Sequence, residues 1–135
     1  MKAIYHEGVQ SLEGIQFGEV EQDKMGDDEV IVKIKTAGLN HRDLFIPNRH
    51  NENDPPLVLG SDGAGVIEAA GKNVTNVKVG DEVIVNPSLG WEKNSAVPPD
   101  GFEITGFPFN GTFAEYITLP AENAVAKPKH LNWEE

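Results

Sequence analysis

Four consecutive hydrogen-bonding side chains, those of Asn40, His41, Arg42 and Asp43, stand in the stretch AGLNHRDLF. Side chains of these types can bind a metal, take part in catalysis, contact a cofactor or cap a helix. Asn40 is a favourable N-cap residue, and Asp43 stands where the acid of a capping box would lie. The stretch therefore predicts a short capped helix, and capping is compatible with a functional role.

The sequence offers little to a metal ion or a covalent nucleophile. It contains no cysteine, which excludes thiolate ligands, disulfides and a cysteine nucleophile. Ser61 lies in GSDG and lacks the G-x-S-x-G spacing of a hydrolase nucleophile. We predict no metal site, although a site assembled from distant residues stays open. The histidines form neither an HExxH motif nor another pair at helical spacing; they are His6, His41, His50 and His130.

The run GSDGAG, from Gly60 to Gly65, invites comparison with a dinucleotide-binding loop. Such a loop follows a strand and opens a helix, whereas the residues after this run, Val66 and Ile67, favour a strand. Ser61 and Asp62 also break the glycine spacing. We therefore expect these glycines to serve bulges and close strand contacts in a curved sheet.

The elements that must position these residues are mostly strands. Alternating or β-rich runs recur between Gly, Asp, Asn and Pro turns, which predicts a mainly β fold, a small barrel or sandwich. The only clear helix candidate of the first half is NHRDLFIPNR, whose length Pro47 limits. Predicted strands are KAIYH, GIQFGEV, EVIVKIKTAG, GAGVIEAAG, GDEVIVNP, GTFAEYITLP and NAVAKP.

Two further segments bear on organisation. The stretch between Asn86 and Gly111 is long and irregular, so it is either a surface excursion packed by its aromatic residues or a functional lobe or lid. The final HLNWEE resembles a helix start, with Asn132 as a cap and acids in the first turn. We interpret this ending as the beginning of a connection to a further domain.

Composition narrows the class of protein. The 135 residues suit one soluble domain, and the formal net charge of −11 disfavours nucleic acid or an anionic membrane as the main partner. No secretory signal and no apolar run of membrane-spanning length is present. We therefore expect a cytoplasmic protein that binds neither nucleic acid nor membrane.

The order of the motifs resembles that of the medium-chain dehydrogenase/reductase superfamily, which includes alcohol dehydrogenases and quinone oxidoreductases. The motifs are AGLNHRDLF, PPLVLGSDGAGVIEAAGKNV, VGDEVIV and GTFAEYITLP, and the likeness covers nearly the whole chain. The resemblance implies a GroES-like, partly open β-barrel with short helices over residues 1–125. Residues 126–135 would then start the linker to a Rossmann domain that this chain lacks.

The same resemblance implies that zinc is absent. Zinc-dependent relatives carry a ligand Cys where Asn40 stands, and a ligand His followed by Glu where Ser61 and Asp62 stand. Amide and hydroxyl groups are poor zinc ligands. The four cysteines of the structural zinc lobe are missing as well. The chain is thus most similar to the zinc-independent branch, which usually uses NADPH to reduce quinones or α,β-unsaturated carbonyls.

Site residues follow from the resemblance. Asn40, His41 and Arg42 are expected to contact NADP(H), which the missing domain would mainly bind, and Asn40 and Arg42 are the predicted catalytic residues. Arg42 cannot act as the proton relay found at its position in alcohol-oxidising relatives. Structural alternatives stay open: Arg42 could pair with Asp43 or Asp62, and Asp43 could tie the helix to a strand. The predicted substrate pocket comprises Phe45, Phe107 and Phe109, with the alternative that these aromatic residues belong to the core.

The predicted partners are a small carbonyl or quinone substrate and the protein's own Rossmann domain. The domain alone is expected to be inactive, to self-associate through the face that this partner would cover, and to belong to a homo-oligomer. Two other hypotheses remain: a relative of zinc-type alcohol dehydrogenases acting on alcohols or aldehydes, and a stand-alone GroES-like binding module. A superfamily member with a non-catalytic structural role is a further possibility.

Overall fold

Short antiparallel strands account for most of the regular structure in the computed structural model, which describes all 135 residues. Helical structure is limited to 3₁₀ turns at Leu12–Gly14, His41–Leu44, Ile46–Asn48 and Ala121–Asn123. The strands are β1 (Lys2–His6), β2 (Ile15–Glu19), β3 (Glu29–Gly38), β4 (Leu57–Val58), β5 (Asp62–Ala70), β6 (Glu82–Val85), β7 (Ser88–Leu89), β8 (Glu103–Thr105), β9 (Pro108–Phe109), β10 (Tyr116–Pro120) and β11 (Ala124–Ala126).

Three sheets make up the fold. The five-stranded sheet has the order β10-β3-β5-β6-β11, and all its neighbours are antiparallel. A second sheet has the order β2-β1-β4, and a small third sheet has the order β7-β8-β9. The predicted mainly β, partly open barrel is therefore confirmed. No helix is long and apolar enough to span a bilayer.

The core follows from the alternation of apolar residues along β3. Val30 and Val32 are fully buried in the strand predicted by EVIVKIKTAG, while Lys33 and Lys35 are exposed. Side chains from the neighbouring strands complete this layer. The main core cluster consists of Val30, Val32, Ile67, Val83, Val85, Ile117, Leu119, Ala121 and Ala124.

The glycines of the GSDGAG run serve strand contacts, as predicted. Gly65 pairs with Ile34 of β3, and the β3–β5 register shifts between Ile34 and Thr36, next to this pair. A Cβ atom at Gly65 would overlap the Lys33 carbonyl oxygen and lie 2.8 Å from the Lys33 carbonyl carbon. The absence of a side chain at Gly65 thus lets β5 approach β3 closely.

Two predictions of local structure are corrected. NHRDLFIPNR forms two successive 3₁₀ turns rather than one helix, since its hydrogen bonds are mostly of the three-residue type and Pro47 lies in the second turn. The stretch after Asn86 is not wholly irregular, because it contains β7, β8 and β9. Near the C-terminus, the Asn132 side chain accepts hydrogen bonds from the backbone N–H groups of Glu134 and Glu135, as a cap does.

Candidate functional site

The predicted site segment is a closed turn at the end of β3. The Asn40 backbone N–H donates to Asp43 Oδ2 at 2.7 Å, and the Asp43 N–H donates to the Asn40 carbonyl at 3.0 Å. Asp43 is buried, and its other oxygen, Oδ1, has no hydrogen-bond partner. Asp43 therefore closes the turn on itself and does not tie it to a neighbouring strand, which corrects that alternative.

The amide nitrogen of the Asn40 side chain reaches the start of β5. It donates to Ser61 Oγ at 3.2 Å and to the Asp62 carboxylate. Thr112 holds the backbone here, because its hydroxyl donates to the Asp62 carbonyl at 2.9 Å. The structure thus brings Asn40, Ser61 and Asp62 together from the two separate motifs. We call these three residues the Asn40 cluster.

The Asn40 cluster combines an amide, a hydroxyl and a carboxylate. This set lacks the thiolate and imidazole that favour zinc, and only its carboxylate is a strong ligand. The structure holds no group of three or more His, Cys, Asp or Glu side chains that could bind a metal ion. The donor set therefore does not fit a catalytic zinc ion.

Arg42 reaches across to the long stretch after Asn86. Its Nη1 donates to the Thr105 carbonyl at 3.0 Å, and no ion pair joins it to Asp43 or Asp62. The predicted ion pair is therefore wrong. The remaining guanidinium N–H groups stay free to bind an anion. His41 is exposed, and its ring packs against Phe45 with ring centroids 4.8 Å apart.

The predicted aromatic pocket is divided by the fold. Phe107 and Phe109 line a cavity of about 810 Å³ together with His50, Leu57 and Thr105. Phe45 does not line this cavity; it is half-exposed beside His41. None of the three residues of the Asn40 cluster lines the cavity either. This cavity therefore adjoins the long stretch after Asn86, and the polar cluster lies outside it.

Apolar side chains around the turn are exposed. Leu39 is 78% exposed, and Leu44 and Phe45 are about half-exposed. These residues flank Asn40 and Asp43 in the sequence and lie outside both core clusters. Self-association of the chain through this face stays a prediction.

A buried histidine pair, which sequence reasoning missed, fixes the far end of the same segment. His6 and His50 lie 44 positions apart, yet their Nδ1 atoms are 2.8 Å from each other. His6 Nε2 faces the carbonyl oxygens of Val9 and Ser11 at 2.9 and 3.2 Å, so it carries a hydrogen. In the neutral pair His6 Nδ1 is therefore an acceptor, and His50 Nδ1 donates to it.

The histidine pair makes the stability of the domain sensitive to acid. Burial lowers the pKa of His50, proximity to His6 lowers it further, and Asp54 and the Pro55 backbone oppose the shift. Unfolded His50, with its ordinary pKa of 6.5, then binds protons more readily than folded His50. The free energy of unfolding should therefore be greatest above pH 6.5 and fall as the pH drops below it.

The free energy of unfolding, measured with urea at a series of pH values from about 8 to about 5, tests this dependence. His50→Gln should flatten the profile, whereas the same change at His130, which is exposed, should leave it unaltered. A wild-type profile that is flat across pH 6.5 would contradict the assignment.

The site lies within a segment that matches a known protein family. The sequence profile of the family described as "Alcohol dehydrogenase GroES-like domain" matches residues 26–129. A zinc-type alcohol dehydrogenase-like protein of Schizosaccharomyces pombe is 33% identical over 138 residues, which cover 100% of this chain and 40% of that protein. The chain thus spans about two fifths of the length of this relative.

Solved structures agree with the sequence match. A structure described as an NAD-dependent alcohol dehydrogenase superposes with a TM-score of 0.86 at 34% identity, covering 100% of this chain and 42% of that one. A quinone oxidoreductase of Pseudomonas syringae gives a TM-score of 0.75 at 28% identity, covering 98% of this chain and 35% of that one.

Proposed function

The chain belongs to the alcohol dehydrogenase GroES-like domain family, and on this premise we propose that it is the substrate-side domain of a nicotinamide-dependent oxidoreductase. The proposed enzyme is zinc-independent, prefers NADP(H), and reduces quinones or α,β-unsaturated carbonyls. The observation that carries this proposal is the Asn40 cluster, in which an amide, a hydroxyl and a carboxylate meet. The cluster offers hydrogen bonds to a substrate oxygen but no zinc ligand set.

Reduction of such a substrate places negative charge on an oxygen. The bound dinucleotide would supply the hydride, and the electron pair displaced in the substrate would move onto its oxygen. Without a metal, hydrogen-bond donors held in fixed positions must stabilise that oxygen. The Asn40 cluster and the free guanidinium N–H groups of Arg42 are the polar groups that this segment offers.

Two side chains beside the cluster are available to contact a dinucleotide. The exposed His41 ring makes no side-chain hydrogen bond, and Arg42 uses one N–H group on the Thr105 carbonyl. Both can therefore face a pyrophosphate, for which the Arg fork is well suited. We propose Asn40, His41 and Arg42 as the contribution of this domain to the cofactor site.

The function is tested on the intact polypeptide that carries this domain, purified without a tag. Turnover with NADPH and NADH should be measured against quinones, enals and simple alcohols, alongside metal analysis. We expect reduction of quinones or enals and a zinc content far below one ion per chain. Near-stoichiometric zinc with alcohol oxidation would instead favour the zinc-type alcohol dehydrogenase hypothesis. Failure to bind either dinucleotide would favour a binding module.

Arg42→Ala should weaken dinucleotide binding by about tenfold or more, because a hydrogen bond to a charged group contributes roughly 1.5–3 kcal/mol. Arg42→Lys should restore only part of the loss, since an ammonium cannot form the bidentate fork. Fluorescence titration of the intact polypeptide measures the dissociation constant.

Arg49→Ala is the matched control for Arg42→Ala. Arg49 is exposed and makes no side-chain hydrogen bond or ion pair, so the change should leave the dissociation constant unaltered. If Arg42→Ala lowers only the melting temperature and leaves binding intact, Arg42 merely anchors Thr105, and its cofactor role is refuted.

A further inference from the structure

The hydrogen bonds within the Asn40 cluster determine which of its atoms can donate a hydrogen bond to a substrate. The atom that faces the Asp62 carboxylate must be the amide nitrogen of Asn40, because a carboxylate only accepts. The same nitrogen also donates to Ser61 Oγ at 3.2 Å. A primary amide has two hydrogens, so both are engaged within the protein.

This inventory removes Asn40 as a donor. The one other polar group of the Asn40 side chain is its oxygen, which faces the Asp43 backbone N–H in a capping box and can only accept a hydrogen bond. An acceptor facing an oxygen that gains negative charge would be repulsive rather than stabilising. The Asp62 carboxylate is likewise an acceptor. The donor of the cluster must therefore be its remaining member.

Ser61 meets this requirement. Its hydroxyl oxygen accepts from Asn40, and it makes no hydrogen bond as a donor, so its own hydrogen is free. Ser61 is only 3% exposed, so bulk water competes little for this hydrogen. Asn40 and the Asp62 backbone, which Thr112 holds at 2.9 Å, fix its position.

We propose that Ser61, and not Asn40, donates the hydrogen bond to the substrate oxygen, with Asn40 and Asp62 as positioning residues. This inference rests on the proposed function, which it deepens by assigning the donor. The substrate class that it fits is one with a carbonyl or quinone oxygen. Arg42 is assigned here to the dinucleotide, through the guanidinium N–H groups that its contact with the Thr105 carbonyl leaves free.

Side-chain amide NMR of the 135-residue chain tests the hydrogen-bond inventory directly. Both Asn40 amide hydrogens should exchange slowly, and Ser61→Ala should accelerate one of them while leaving the other protected. The exposed Asn94, whose side chain makes no hydrogen bond, provides the fast-exchanging reference. An Asn40 amide with a freely exchanging hydrogen in the wild-type chain would overturn the inference, whatever the activity.

Turnover of the intact polypeptide tests the donor role. Removing one donor to a developing oxyanion typically lowers kcat by about 10²–10³-fold, and we expect a loss of this size for Ser61→Ala with dinucleotide affinity unchanged. Ser61→Thr keeps the hydroxyl and should rescue most of the loss. The exposed Ser95, changed to Ala, is the matched control and should be neutral. A melting temperature close to that of the wild type shows that the variants fold.

The outcomes separate the two proposals. Wild-type turnover that Ser61→Ala leaves unchanged refutes the donor role alone. If the wild-type polypeptide reduces no substrate although the Asn40 hydrogens are protected, the proposed function fails, and the donor role fails with it. Slow Asn40 exchange together with loss and rescue of kcat at Ser61 supports both.

Discussion

Gly65→Ala should destabilise the domain by roughly 3 kcal/mol or more, a large share of the 5–15 kcal/mol typical of a domain. The new methyl group would overlap the Lys33 carbonyl oxygen and lie 2.9 Å from Val32 Cγ1. Neither atom can yield cheaply, because the first is backbone of β3, which pairs with a strand on each side, and the second belongs to the core. Urea unfolding followed by circular dichroism measures the loss.

Gly38→Ala provides a control in the same pair of strands. Gly38 pairs with Asp62 at the end of β3, and a Cβ atom there would make only an ordinary contact of 3.5 Å with the Asp62 Cβ. This change should alter the unfolding free energy by no more than about 1 kcal/mol. Equal effects at the two glycines would refute the close-approach explanation.

His6→Ala should cost about 2–4 kcal/mol of stability. The fully buried ring provides the acceptor for His50 Nδ1 and donates to the Val9 and Ser11 carbonyls. Its removal leaves a cavity and a buried donor on His50 without a partner. Denaturant unfolding at about pH 8, well above the ordinary histidine pKa, isolates this packing and hydrogen-bond contribution from protonation of the unfolded chain.

A double-mutant cycle separates the pair from its surroundings. His6→Ala and His50→Ala should be less costly together than the sum of the single changes, by about 0.5–3 kcal/mol, because the second change removes the orphaned partner. His41→Ala, at an exposed ring, should change stability little and serves as the control. Additivity of the His6 and His50 changes would show that the 2.8 Å contact contributes no coupling.

The strands were predictable where apolar and polar residues alternate over several positions. EVIVKIKTAG coincides with β3, and KAIYH coincides with β1, because one face of each strand must be buried. The two-residue strands β7 and β9 could not be predicted, since two residues cannot show a period. The helix predicted at NHRDLFIPNR failed because capping signals do not distinguish a 3₁₀ turn from a longer helix.

The site was predictable only in part. The resemblance placed Asn40, Ser61 and Asp62 at positions of the catalytic zinc motifs of relatives, but which hydrogens are free follows only from three-dimensional contacts. The contact of Arg42 with Thr105 spans 63 positions, and that of His6 with His50 spans 44, so neither has a local signature. Long-range pairs of single polar residues leave no periodic pattern in a sequence.

The attachment of the long stretch after Asn86 bears on how this protein can evolve. Thr105 holds the base of this stretch. Its carbonyl accepts a hydrogen bond from Arg42, and its N–H donates to the Pro87 carbonyl at 3.0 Å. Residues 92–101 are all exposed and form no strand. Lengthening this tip adds only the slowly growing entropy of a longer loop. Insertions there can therefore create new recognition surfaces while the base, and the segment that Arg42 belongs to, keep their geometry.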